Sequence, residues 1–187
     1  MTEHVHHGLA NEELQEELRD LLDLAVVGDH LRWVVVGEEA GELADWLADA
    51  VPQWRALAER VSQHLVSLGV APDGRVRSLA KDIPLHWVPE GWLRSDEAGR
   101  LIAHRLRVLG GWACYRRSQA TDPDTVEVLG AVCSGLKAQA RAAELTIVDI
   151  EHTDALVLAD RREARVRHDG RRQVGSEGLA GAADGLR

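Results

Sequence analysis

The sequence predicts an all-α domain, a bundle of four long amphipathic helices with a longer link between the second and third. Three observations predict it. Leu, Val and Ala recur at helical spacing through four separate stretches, giving each stretch one apolar face. Gly and Pro collect between those stretches, most densely from Gly69 to Ser95, where Pro72, Pro84 and Pro89 interrupt any long element. No alternating strand pattern competes with the helical one.

The first helix is expected to begin at Asn11, a good N-cap residue, with Glu12 and Glu13 in its first turn and Gln15 nearby. Leu14, Leu18, Leu21, Leu22, Ala25 and Val26 supply its apolar face. Gly28 costs such a helix ~1 kcal/mol relative to Ala, which points to close packing against a neighbour. The helix should reach about Val36, and Gly37 supplies the turn. A second helix is expected over residues 38–68, carrying Leu43, Trp46, Leu47, Ala50, Trp54, Leu57, Ala58, Val61, Leu65 and Leu68, with a kink at Pro52.

In the link, short helices are expected at Val76–Lys81 and at Glu90–Leu93. Ser95-Asp96-Glu97 then opens a third long helix, whose face is Ala98, Leu101, Ile102, Leu106, Leu109, Trp112 and Ala113. Thr121-Asp122-Pro123 separates it from the fourth, with Asp122 capping and Pro123 in the first helical position. Val126, Leu129, Val132, Cys133, Leu136, Ala140, Ala143 and Ile147 complete the set.

A chain of 187 residues accommodates one such domain and tails: a flexible arm over 1–10, the helical domain over 11–159, and a tail over 160–187. The net charge of −9 argues against a uniformly basic nucleic-acid surface. Basic residues are nevertheless concentrated in the tail, as Arg161, Arg162, Arg165, Arg167, Arg171 and Arg172, before a Gly/Ala-rich end. Clustered guanidiniums neutralise phosphates and release counterions, so this is the candidate DNA-binding segment; a solvated tail is the bland reading. His4, His6 and His7 in the arm are a weak candidate metal site, with no Cys or carboxylate cluster to complete it.

Cys114 and Cys133 fall in separate predicted helices and are expected as a reduced, buried pair. No apolar run approaches the ~18–20 residues of a membrane span, and no signal pattern opens the chain. A cytoplasmic protein is expected.

One stretch carries more than fold. Arg32-Trp33-Val34-Val35-Val36-Gly37 places a Gly four residues after a Trp, Leu68-Gly69-Val70 closes the second helix, and Asp73-Gly74-Arg75 follows. With the spacing between them ungapped, these motifs resemble the Dps family (DNA protection during starvation), the ferritin-like miniferritins, over roughly residues 14–150. The resemblance implies a ferritin-like bundle with a short helix in the link, packed at a subunit two-fold axis. Trp87 and Trp92 would there be interface anchors or lids on the bundle. It implies a homo-oligomer, a hollow dodecamer built from dimers, with roles in stress response and iron storage.

It also implies a ferroxidase centre between subunits, with two His and an Asp from one and an Asp and a Glu from the other. The matching positions here are Arg32, Ala44 and Ala48, and Glu59 and Gln63. Only Glu59 retains an anionic oxygen ligand, and Arg32 cannot bind a cation because it stays protonated. Aligning instead on Ala58-Glu59-Arg60, with a gap, puts Arg55 at the partner Asp position and leaves Arg32 in place. Iron is therefore expected by resemblance, but not at the usual dimer-interface site, and no catalytic residue is expected. Arg32 of one subunit is expected to pair with Glu59 of another.

His30 and His64 lie near this region, where ordinary polar packing is expected over a rearranged metal site. Arg141 stands where relatives often keep a Trp. Asp149, Glu151 and Asp154 are candidates for pore lining or simply for solvated surface. The function expected is a Dps-like cage acting in DNA or nucleoid protection. The alternatives are an active miniferritin oxidising Fe(II) with peroxide, and a helical adaptor binding neither DNA nor iron.

Overall fold

Helix α1 spans Thr2–Val34, starting well before Asn11, so it passes through the stretch expected as a flexible arm. A two-residue strand β1, Val35–Val36, follows, and the chain turns at Gly37, whose φ of +119° suits a residue without a side chain. Helix α2, Ala40–Ser67, runs through Pro52 and ends before Gly69, also at positive φ. The link contains α3, Val76–Leu79, within the expected first short helix. The second expected short helix, Glu90–Leu93, does not form: the chain bends there and enters strand β2, Leu93–Arg94. Helix α4, Ser95–Gln119, and helix α5, residues 123–144, complete the bundle. The computed structural model describes residues 2–79 and 88–144, with side chains from residue 11 onward.

Helix directions follow from which residues meet. Gly28 of α1 lies against Val51 and Trp54 of α2, and Asp29 bonds Arg55, which with the short turn makes α1 and α2 antiparallel. Asp23 meets Arg105 while Glu17 meets Arg116, so α4 also runs opposite to α1 and parallel to α2. On α5, Thr125 meets His64, Glu127 meets Arg60, and Gln139 meets Trp54, which makes α5 antiparallel to α2. Two antiparallel hairpins joined by one long crossover are the ferritin-like plan. The crossover is pinned where it returns: β1 and β2 pair in parallel, Val35 opposite Leu93 and Val36 opposite Arg94.

The core is aliphatic, as the absence of Phe requires, with Trp54 its largest fully buried side chain. Most of the expected faces are buried, but the α1 face is rotated. Leu24, Val27 and Leu31 are inside, whereas Val26 is 56% exposed. Leu68 and Trp112, each 40% exposed, also lie outside the core. At Gly28 the two helices touch so closely that an added Cβ would stand 2.5 Å from a Trp54 ring carbon and 2.6 Å from Val51 Cγ2. Trp54 in turn packs edge-on to Trp46 at 6.3 Å and donates its indole N–H to Gln139. Asp122 caps α5 as expected, accepting the Thr125 backbone N–H at 2.8 Å.

The cysteines are not a reduced pair. Cys114 on α4 and Cys133 on α5 form a disulfide with Cα atoms 5.1 Å apart. Residue types alone gave no view of the helix register that brings the two thiols opposite each other. No described helix is long and apolar enough to cross a membrane.

Candidate functional site

The five positions matched to a ferroxidase centre lie along the α1–α2 hairpin. Arg32, in the last turn of α1, sits 3.4 Å from Asp29 one turn earlier and is about a third exposed. Asp29 also accepts from Arg55 of α2 at 2.7 Å, so one carboxylate is shared by two guanidiniums. Ala44 and Ala48 are half-buried, one turn apart near the start of α2. Glu59 and Gln63 are both exposed further along α2, and Gln63 Nε2 donates to Glu59 Oε1 at 2.9 Å. The structure thus unites Glu59 with Gln63 and Arg32 with Asp29 and Arg55. Among the described residues of the single chain, Arg32 and Glu59 do not bond each other.

His64 is buried and does ordinary polar packing. Its Nε2 lies 2.8 Å from Thr125 Oγ1, whose hydroxyl donates to Asp122 Oδ2 at 2.8 Å. Because that hydroxyl proton is already placed, Thr125 accepts from His64, which ties the end of α2 to the cap of α5. His30 is half-buried and Arg141 is exposed. Among the described residues, no group of three or more His, Cys, Asp or Glu side chains is arranged to hold a metal ion. His4, His6 and His7 lie on α1, with side chains outside the described set. Trp87, the acidic Asp149, Glu151 and Asp154, and the six tail arginines all lie outside the described residues. Trp92 is 74% exposed and so does not lid the bundle within its own chain; Trp33 is 72% exposed at the end of α1.

A second cluster of charge was not foreseen. Inside the bundle, Arg116 of α4 reaches Glu17 at 2.7 Å, Asp20 at 2.8 Å and Glu16 at 3.3 Å on α1. Three turns earlier, Arg105 bonds Asp23 at 2.6 Å. Glu17 and Arg105 are fully buried. The signal was present: Glu17 falls between Leu14 and Leu21, and Arg105 between Ile102 and Leu109, both at core spacing.

Burial drives the Glu17 carboxyl up to about 7, against the pull of Arg116 and with added repulsion from Asp20. Burial likewise raises Asp20 and Asp23. Arg116 is also raised: burial disfavours its charge, but attraction to Glu17 and Asp20 outweighs that. The two directions are compatible because one guanidinium cannot neutralise three carboxylates. Arg116 stays charged, and the surplus negative charge is relieved at Glu17, whose Oε1 has no hydrogen-bond partner among the described residues. Each of these bundle carboxylates is engaged by a guanidinium.

These helices, their directions and the single long crossover define a ferritin-like four-helix protein. More specifically, the chain has the fold of the Dps proteins. A Dps protein from Deinococcus radiodurans superposes with a TM-score of 0.70 at 22% identity, covering 73% of this chain and 86% of that one. A C-terminal deletion mutant of Mycobacterium smegmatis Dps gives 0.71 at 17% identity, covering 75% and 98%. Dps from Thermosynechococcus elongatus gives 0.71 at 10% identity, covering 77% and 93%. No family profile matches the sequence, and no curated protein matches it.

Proposed function

We propose that this chain is a Dps-like cage protein whose iron-oxidising position has been taken over by protein charge, and whose work is protection of DNA rather than oxidation. Fold alone does not fix function. The observation that carries the reading is Arg32, a permanent cation held beside Asp29 and Arg55 where iron chemistry would need imidazole and free carboxylate. Ala44 and Ala48 offer no donor atoms, and the Gln63 amide is committed to Glu59. The donor set does not fit Fe(II), so no oxidation step is assigned to it.

In the assembled protein, Arg32 pairs with Glu59 of the partner subunit, and the guanidinium supplies the positive charge that a metal would bring. Support comes from the exposure of both groups in the single chain and from the two small side chains at positions 44 and 48. DNA is held through the arginines of residues 160–187, whose modest individual affinity is multiplied over the copies of an oligomer.

Anaerobic Fe(II) followed by peroxide tests the site. No growth of ferric absorbance above a protein-free control is expected, and a ferric core forming inside the particle would overturn the reading. A gel shift across salt concentrations, with and without residues 160–187, tests the DNA role. Loss of a salt-sensitive shift on truncation is expected, whereas an unchanged shift refutes the tail's part in it.

A further inference from the structure

We propose that Cys114 and Cys133 form a reversible dithiol/disulfide couple oxidised by hydroperoxide, a redox site separate from the α1–α2 hairpin and independent of metal. The seam between α4 and α5 is built for close approach in a single register. Gly110 lies opposite Lys137, Cys114 opposite Cys133, and Arg117 opposite Gly130: three successive rungs of one antiparallel contact. A Cβ on Gly110 would stand 3.6 Å from the Lys137 backbone nitrogen, and a Cβ on Gly130 would stand 3.2 Å from Arg117 Nε. Gly110, one turn before Cys114, therefore lets the two helix backbones approach as closely as a disulfide needs, and Gly130 gives the Arg117 side chain room to cross.

The two sulfurs differ in access, and that difference assigns their roles. Cys133 is buried at 6% exposure, whereas Cys114 is half-buried on the side of α4 that carries the exposed Tyr115. A small hydroperoxide reaches Cys114 first. Arg117 lies one turn along the same face of α4, and its side chain crosses onto Gly130. Its guanidinium lies against the seam one rung from the cysteines, where a positive charge favours a neighbouring thiolate, the reactive form. Arg117 and Gly130 also line an open groove of about 510 Å³ with Arg60, Glu127 and Ser134, which brings solvent to this end of the seam.

The chemistry balances with hydrogen peroxide as the named oxidant. The Cys114 thiolate attacks one peroxide oxygen, the O–O bond breaks, and the departing hydroxide takes a proton to leave as water. Cys114 is then a sulfenic acid. The Cys133 sulfur displaces that hydroxyl as a second water, and the disulfide forms. Two thiols have lost two electrons in all, and one peroxide has become two waters. A small dithiol reverses the step by exchange, entering at Cys114 and restoring both thiols.

The test uses the full-length assembled protein, freed of iron with a chelator. Dithiothreitol under native conditions is expected to release two thiols per chain without changing helix content or particle size. After removal of the reductant, hydrogen peroxide should be consumed one for one with disulfide formed. Dimedone should label Cys114 in the Cys133→Ser variant and leave Cys133 unlabelled in Cys114→Ser. Arg117→Gln should slow reoxidation by about ten-fold while leaving the fold unchanged. A bridge that yields only in denaturant, thiols that ignore peroxide, or equal labelling of both variants would each overturn the proposal. The thiol and peroxide counts are made on the unaltered sequence, so misfolding of a variant does not protect it.

Discussion

Replacing Glu17 by Gln should remove most of the pH dependence of this protein's stability near neutrality. An unfolded chain releases the Glu17 proton near its ordinary 4.5, whereas the folded chain holds it to about 7. Between those values the folded state binds more protons than the unfolded one, so stability falls as pH rises through the window. The raised Glu17 value contributes in full below 4.5, and its contribution is gone above about 7. At about 1.4 kcal/mol per pH unit, that interval corresponds to about 3 kcal/mol. Asp20 and Asp23 are displaced in the same direction and steepen the trend.

Gln keeps the shape of the side chain and removes the charge that burial penalises, while Arg116 retains Asp20 at 2.8 Å and Glu16 at 3.3 Å. Urea unfolding followed by helical circular dichroism, at fixed protein concentration from about pH 4.5 to pH 8, reads the difference. The parent should lose stability across the range. The variant should lose much less and exceed the parent at pH 8 by up to about 3 kcal/mol. Equal slopes, or a variant weaker than the parent at pH 8, would show that attraction to Arg116 and not burial governs this carboxyl.

Gly28→Val should cost ~1–3 kcal/mol by overpacking against Trp54 and Val51, read as a lower urea midpoint. Gly111→Ala, in a helix with nothing within 4 Å of the new methyl, should instead raise that midpoint by the equivalent of ~1 kcal/mol. Arg105→Met should destabilise by ~3–5 kcal/mol because it strands the Asp23 carboxylate, and adding Asp23→Asn should recover a large part of the loss in the same assay. Arg32→Glu should weaken assembly, measured by sedimentation, and Arg32→Glu with Glu59→Arg should restore it if the two groups face each other between subunits.

Much of the fold was legible because helix period, cap residues and Gly/Pro punctuation all agree here. The limits of α2, the cap at Asp122 and the tight approach at Gly28 follow from single residue types. The face of α1 was harder to read. Leu24-Ala25-Val26-Val27 presents four apolar residues in a row, and only the position of α2 decides that Val26 faces out. The β1–β2 ribbon leaves no trace in two residues of Val-Val and Leu-Arg, since parallel pairing needs a partner far away in sequence. The Arg116 cluster was missed because charged residues at core spacing read as helix surface until a partner helix is placed against them. The disulfide was missed for the same reason.

The ribbon between β1 and β2 has a consequence for how the molecule could be taken apart. It fastens the start of the α4–α5 hairpin to the end of the α1–α2 hairpin, backbone to backbone, while the guanidinium contacts of Arg105 and Arg116 clamp α4 to α1 along its length. The expected consequence is that a break between residues 79 and 88 leaves the halves in register. Two separately made fragments, broken in that interval, should find each other and rebuild the bundle.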